Sequence, residues 1–340
     1  MPLRAFHAMS KLLYCAALAA FVAALPAEIL AQQPYRILNR WKIGGEGKGW
    51  DYLIVDSLTH NLFIAHDNEV QVVNTSTGKL VGAIKNLEGC HGVAFDTAGK
   101  FGYISNGNGM NVVIFDRHSL ATVATIPVGG GPDGIIFEPV TQTVWTFNGR
   151  GTASVIDPVA KKVVAAIKLG GGGESPEVDG KGNVFGNVEG KLIRIDAKTR
   201  TITATWPTGC SDASGLGVDV AGHRLFQACE GGKMEIVDSE SGKVLGSAAI
   251  GDGPDSGGYS AKYKLGFAST GDGFLNVVGS SGNGYTTVEK LPTMKGARTM
   301  TYDAATDRIY TDSAEIVGTP APGQRPNYVP NSLTVMVIGR

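Results

Sequence analysis

Charge, cysteine and long apolar runs are all scarce in this 340-residue chain. Asp, Glu, Lys and Arg together make up 18% of it, with 30 basic against 31 acidic residues. No basic field exists to hold a polyphosphate backbone, so nucleic acid is not an expected partner. The longest apolar run, Leu12 to Leu25, has 14 residues, short of the roughly 18 that a membrane-spanning helix needs. No membrane span is expected. Four cysteines are too few for a disulfide-built scaffold, and none of them forms a Cys-x-x-Cys pair. Gly-x-Ser-x-Gly and His-Glu-x-x-His are also absent, which removes the commonest hydrolase and zinc-protease signatures. "GGEGKGW", Gly44 to Trp50, has the glycines of a phosphate cradle, but no helix follows to supply amides and a dipole.

What is present begins with a leader. Arg4 and Lys11 precede the apolar run, and small residues follow near Ala27 and Ala31, the layout of a secretory signal peptide. Residues 1–31 are therefore expected to be removed and residues 32–340 to form one exported domain, periplasmic or secreted. Losing Arg4, Lys11 and Glu28 leaves 28 basic and 30 acidic residues, a formal charge of −2.

The remaining chain is rich in glycine, with 48 in all, and repeats itself. Apolar runs closed by a short polar residue recur at Asp56, Asp96, Glu138, Asp179, Asp219, Ser260 and Asp303, at spacings of 40, 42, 41, 40, 41 and 43. A period near 41 holding four short strands is that of a β-propeller blade. The expected fold class is all-β, a seven-bladed propeller of four-stranded blades. In the second unit "GVAFD", "FGYIS", "NVVIFD" and "ATVATI" are strands A to D, and the intervening "NGNG" is the B–C loop. Asn74, Asp116, Asp157, Asp196 and Asp238 each end a strand C, where a short acceptor caps the turn. The seventh unit stops after its strand C, so "YRILNRWKI", Tyr35 to Ile43, is expected to supply its missing fourth strand and close the ring.

"YISN" followed by "VVIFD", "TFNG" followed by "ASVID", and the "GPDG" and "GPDS" D–A connections resemble the YVTN-repeat family of exported seven-bladed propellers, the YncE-like proteins. The likeness runs over residues 35–340. It implies a binding or scaffold role, with lactonases and an antibiotic lyase among related propellers. His66, Asn187, Cys229, Thr270 and Ser313 depart from the motif's last position.

In such a blade the D–A connections and the B–C loops share one face. Counting five residues back from each marker gives a ring of Asp51, His91, Asp133, Glu174, Ser214, Asp255 and Arg298. In blade 4, matching Pro176-Glu177 to the Pro-Asp pairs of blades 3 and 6 places Glu177 in the ring instead, and that alternative is preferred because proline suits a central strand badly. Four carboxylates against one arginine favour a cationic ligand, a divalent metal ion (Ca, Mg or Zn) or a partner chain at this mouth. Asp51, Asp133 and Asp255 are the expected metal ligands. The B–C loops add His66, Asp67, Asn106, Asn148, Arg150, Asn187, Glu230, Asp272 and Asp312. Among them Asn106, Asn148 and Arg150 are further candidate ligand contacts. The long B–C loop of blade 7, residues 314–331, is a candidate lid.

His60, His118 and His223 fall in turns of the opposite face. His66 and His91 belong to adjacent blades on the funnel face and are the expected pair for acid–base work, should the protein be a metal-assisted hydrolase or lyase acting on a lactone or ester. Cys210 and Cys229 flank one blade and are expected to form a disulfide, leaving Cys90 as a buried thiol. A monomer is expected.

Overall fold

The computed structural model describes residues 33–45, 49–318 and 326–340; the leader expected over residues 1–31 lies outside them. Seven four-stranded antiparallel sheets are present. Blade 1 consists of Leu53–Asp56, Asn61–His66, Glu69–Asn74 and Leu80–Ile84, from the innermost strand A to the outermost strand D. Blades 2 to 6 repeat this order from innermost strands Cys90–Phe95, Pro132–Glu138, Gly173–Val178, Ala213–Asp219 and Pro254–Ser260. Blade 7 takes Met300–Asp303, Arg308–Ser313 and Thr334–Gly339 from the end of the chain and Arg36–Lys42 from its beginning. The pairing runs from Arg36 opposite Gly339 to Lys42 opposite Thr334. Innermost strands touch from blade to blade around the whole circle, and that of blade 7 meets that of blade 1. The seven-bladed propeller and its closing strand thus form as the repeat requires.

The repeat's polar markers owe their recurrence to turn chemistry. At the A–B turns a carboxylate takes the backbone amides that the turn leaves open: Asp56 accepts from Leu58 at 3.0 Å, Glu138 from Val140 at 2.9 Å and Asp219 from Gly222 at 2.9 Å. At the C–D turns Asn74, Asp116, Asp157, Asp196 and Asp238 accept amides two or three residues on, which satisfies donors that no ladder reaches.

Between blades the sheets pack through aromatic side chains. Phe63, Phe95 and Phe115 meet between blades 1 and 2, and Phe226, Tyr259 and Tyr285 between blades 5 and 6. Each fully buried ring of this kind contributes about 1.5–3 kcal/mol of hydrophobic stabilisation. Strand B makes room for them by omitting a side chain: a Cβ on Gly102 would lie 2.1 Å from Phe115 Cζ, and one on Gly186 2.0 Å from Phe147 Cε2.

Cys210 and Cys229 form the expected disulfide, with Cα atoms 5.3 Å apart. Cys90 is a free, buried thiol. Its Sγ lies 3.2 Å from the Glu69 carbonyl oxygen, and burial pushes its pKa up to about 12, so it is an inert core group. Among the described residues no helix is long and apolar enough to cross a membrane.

Candidate functional site

A channel of about 340 Å³ runs along the propeller axis, walled by innermost-strand residues of all seven blades. Its funnel-side mouth carries the ring found by counting. In blades 2 to 6 the ladder between strands A and B starts normally, with Cys90 opposite Asn106, Pro132 opposite Asn148, Gly173 opposite Val188, Ala213 opposite Cys229 and Pro254 opposite Thr270. The register then slips by one residue in every one of these blades. Such a bulge kinks the strand and re-aims the side chains beside it, and here those are His91, Asp133, Glu174, Ser214 and Asp255. The following residues Gly92, Gly134, Ser175, Gly215 and Ser256 are all small. A Cβ on Gly134 would lie 2.3 Å from Pro176 Cδ, and one on Gly215 2.6 Å from the Ser256 backbone, so the innermost strands of neighbouring blades close up only if this position is small.

The bulge also corrects the assignment in blade 4. Glu174 occupies the ring and Glu177 lies three residues deeper, in the channel wall. Pro176 is tolerated because an innermost strand has a ladder partner on one side only and because the proline sits in the bulge.

The ring is tightly coupled. His91 Nδ1 lies 2.7 Å from Asp51 Oδ2 and 3.7 Å from Asp133 Oδ1. Burial disfavours the imidazolium, but the hydrogen bond to Asp51 and the charges of Asp133, Asp51 and Glu174 outweigh it and bring the His91 pKa up to about 9. Across the mouth, the Tyr52 hydroxyl donates to Glu174 Oε2 at 3.1 Å, joining blade 1 to blade 4. Burial, and then the charges of Asp133 and Asp255, push Glu174 up to about 8. Arg298 Nε lies 3.1 Å from Asp255 Oδ2; even so, burial, with repulsion from Asp51 and Asp133, pushes Asp255 up to about 7. Behind Asp51, fully buried Asp312 accepts a 3.3 Å hydrogen bond from Thr299 on one oxygen, and its Oδ2 has no hydrogen-bond partner. Burial pushes this carboxyl up to about 8.

Asp51, His91 and Asp133 each offer one donor atom, all within 4.8 Å of one another. Among the described residues they are the one group of three His, Cys, Asp or Glu side chains close enough together to hold a metal ion. Asp255, an expected ligand, lies outside this group and pairs with Arg298, whereas His91 lies within it. The expected histidine pair does not assemble: His66 is buried against Gly45, where a Cβ would lie 2.5 Å from its Cε1, and beside Gln71, whereas the side chains meeting His91 are Asp51 and Asp133. The side chains of Asn106 and Asn148 are engaged within the protein. Asn106 accepts from the Glu88 amide at 2.6 Å and donates to Asn111. Asn148 donates to Thr152 and Ser154 and accepts from Thr146. Arg150 is exposed on the rim. The blade 7 loop carries a short hairpin, Ile316–Val317 with Asn327–Tyr328, whose Tyr328 packs on Trp50 with ring centroids 4.4 Å apart; residues 319–325 lie outside the described residues.

A pH dependence follows. Glu174, Glu177, Asp255 and Asp312 have folded pKa values above their unfolded ones, so ionising them opposes folding. Their penalty grows from about pH 4 and is complete near pH 8. His91, raised to about 9, contributes stability that is full below its unfolded pKa and is lost as pH rises through 9. Both signs agree. Discounted for water in the channel and for coupling, the loss from pH 5.5 to 9 is about 3–5 kcal/mol, or a Tm lower by about 10 °C. Thermal melts of metal-free protein in chelator check this; a flat or rising profile contradicts it.

No protein-family model and no curated protein matches the sequence. Solved structures do match the fold. The chain superposes on RRP9 WD40 repeats with a TM-score of 0.74 at 11% identity, covering 91% of this chain and 98% of that one. It matches a chain of a mitotic checkpoint complex with a TM-score of 0.75 at 13% identity, over 96% and 99% of the two chains. A chain of Kuenenia stuttgartiensis hydrazine synthase gives 0.71 at 18% identity, over 86% and 96%. At these identities the likeness establishes the architecture, a seven-bladed β-propeller with WD40-type structural neighbours.

Proposed function

We propose that this is an exported binding propeller of the YVTN type, and that its acidic funnel takes up a divalent cation on Asp51, His91 and Asp133. The observation that carries this reading is the convergence of two carboxylates and one imidazole from three consecutive blades to within 4.8 Å. One nitrogen and two carboxylate oxygens suit zinc better than calcium or magnesium, which prefer all-oxygen cages. Metal would have to displace the proton on His91 Nδ1, so affinity rises about tenfold per pH unit up to about pH 9. Bridging of a partner chain through the same mouth fits the fold, since seven similar loops make a broad recognition surface. The hydrolase alternative is weaker, because a histidine raised to about 9 and bonded to Asp51 is protonated at neutral pH and does not accept a proton there.

Calorimetric titration of metal-free protein with zinc tests the reading. Wild type is expected to bind one ion, and Asp51→Asn with Asp133→Asn to lose at least about 100-fold in affinity. Asp255→Asn is expected to change affinity less than about threefold, because Asp255 serves Arg298 instead. Equal affinity in wild type and the Asp51/Asp133 double variant overturns the assignment.

A further inference from the structure

Beneath the ring, Glu177 is the only carboxylate among the described residues that line the channel. Residues of the same layer from other blades include Ile54, Ile136, Gly217, Gly258 and Thr301, and no Lys, Arg or His is among the described residues that line the channel. The Glu177 side chain is half-buried, no ion pair engages it, and desolvation alone raises its pKa to about 8. A protein that needed only a packed channel would be better served by an apolar residue here, since an unpaired carboxyl withdrawn from water opposes folding.

Glu174 and Glu177 lie on one bulged strand. Three residues at the strand rise, shortened by the kink, place their carboxylates roughly 7–10 Å apart along the axis. Between them the wall is largely apolar, with Ile136, Pro176, Gly134 and the ring of Tyr52, and the Ser175 hydroxyl there is taken up by the Ser214 carbonyl oxygen. Two acids at different depths separated by an apolar sleeve are the complement of a short alkyl chain with a positive charge at each end.

Building on the reading of the funnel as a cation site, we infer that the axial channel binds a linear aliphatic diamine, one ammonium at Glu174 in the ring and the other at Glu177 below it. The aliphatic segment lies against Ile136, Pro176 and Tyr52. Zinc on Asp51, His91 and Asp133 uses side chains of blades 1 to 3, whereas the diamine uses Glu174 and Glu177 of blade 4, so the amine titrations are run on metal-free protein.

The experiment is calorimetric titration of the full folded protein with 1,5-diaminopentane, with pentylamine, and with diamines from two to seven carbons. Wild type is expected to bind 1,5-diaminopentane at least about tenfold tighter than pentylamine, with an optimum at four or five carbons. Glu177→Gln keeps the side chain's shape and removes its charge; it should lower diamine affinity to the pentylamine level, leave pentylamine within threefold, and melt no lower than wild type. Equal binding of diamine and monoamine, or no dependence on chain length, overturns the inference. So does zinc binding with no amine binding, which leaves the funnel reading intact. Failure to bind zinc and both amines overturns both.

Discussion

Deletion of residues 35–43 is expected to abolish the cooperative fold. The strand Arg36–Lys42 is the outer partner of Thr334–Gly339, and its loss leaves a long unpaired edge at the ring's only seam. It also carries anchors. Tyr35, buried at its start, packs edge-on against Phe267 with centroids 5.6 Å apart. Trp41 packs on Tyr310 at 5.8 Å and covers Gly78, where a Cβ would lie 2.4 Å from its Cδ1, so the strand bridges blade 7 to blade 1. Removing an aromatic anchor costs about 3–5 kcal/mol. Two anchors and a ladder of hydrogen bonds together approach the 5–15 kcal/mol that holds a typical protein folded. Circular dichroism melts and gel filtration of the truncated chain should show no sharp transition and an expanded or aggregated species. Restoration of a transition by a peptide of residues 34–43 added in trans would show that pairing, rather than a faulty truncation, is responsible. A truncated chain that melts within a few degrees of the full one contradicts the closure argument.

Arg117→Met is expected to cost about 3–5 kcal/mol, or a Tm lower by about 10 °C. Arg117 stands at the end of a blade 2 strand and is 5% exposed. Its Nη2 pairs with Asp56 Oδ1 of blade 1, its Nε donates to Asp56 Oδ2 at 2.9 Å and its Nη1 to the Asp96 carbonyl at 3.0 Å. The guanidinium also lies 4.7 Å from the Phe95 ring centroid. Burial by itself would raise the Asp56 pKa, but the hydrogen bonds and charge of Arg117 hold it below the usual carboxylate range. Methionine fills much of the volume but leaves Asp56 charged and enclosed. Because the native Asp56 pKa is depressed, its contribution is present above the unfolded value and lost as pH falls through the folded one. The variant's deficit should therefore be largest at neutral pH and shrink toward pH 3 in thermal melts. Adding Asp56→Asn should recover part of the loss. A deficit independent of pH would mean that packing, not charge, dominates.

Asp56 shows why the architecture was readable from sequence. It serves its turn through Leu58 and Thr59 as well as Arg117, and because every blade needs such a turn acceptor the residue type recurs with the blade period. Ring residues could be found by counting for the same reason. Arg117 serves only one pair of blades, so no period revealed it. Glu174 lost out to Glu177 in the sequence reading because a proline rule for central strands does not hold at a bulged edge. The small residues following the ring positions of blades 2 to 6 were the visible trace of that bulge. Burial of His66, consumption of the Asn106 and Asn148 amides, and the engagement of Asp255 by Arg298 depend on contacts between segments whose distance in sequence says nothing of their orientation. Tyr52 was missed because its neighbour Asp51 occupied the counted position.

The slipped register has an evolutionary consequence. A side chain set at a bulge contributes little to the pairing of its strand, so it can be exchanged without loosening the ladder around it. His, Asp, Glu, Ser and Asp occupy equivalent positions at the bulges of blades 2 to 6. Selection for a new guest can rewrite these five letters while most of the scaffold's own stability is carried elsewhere.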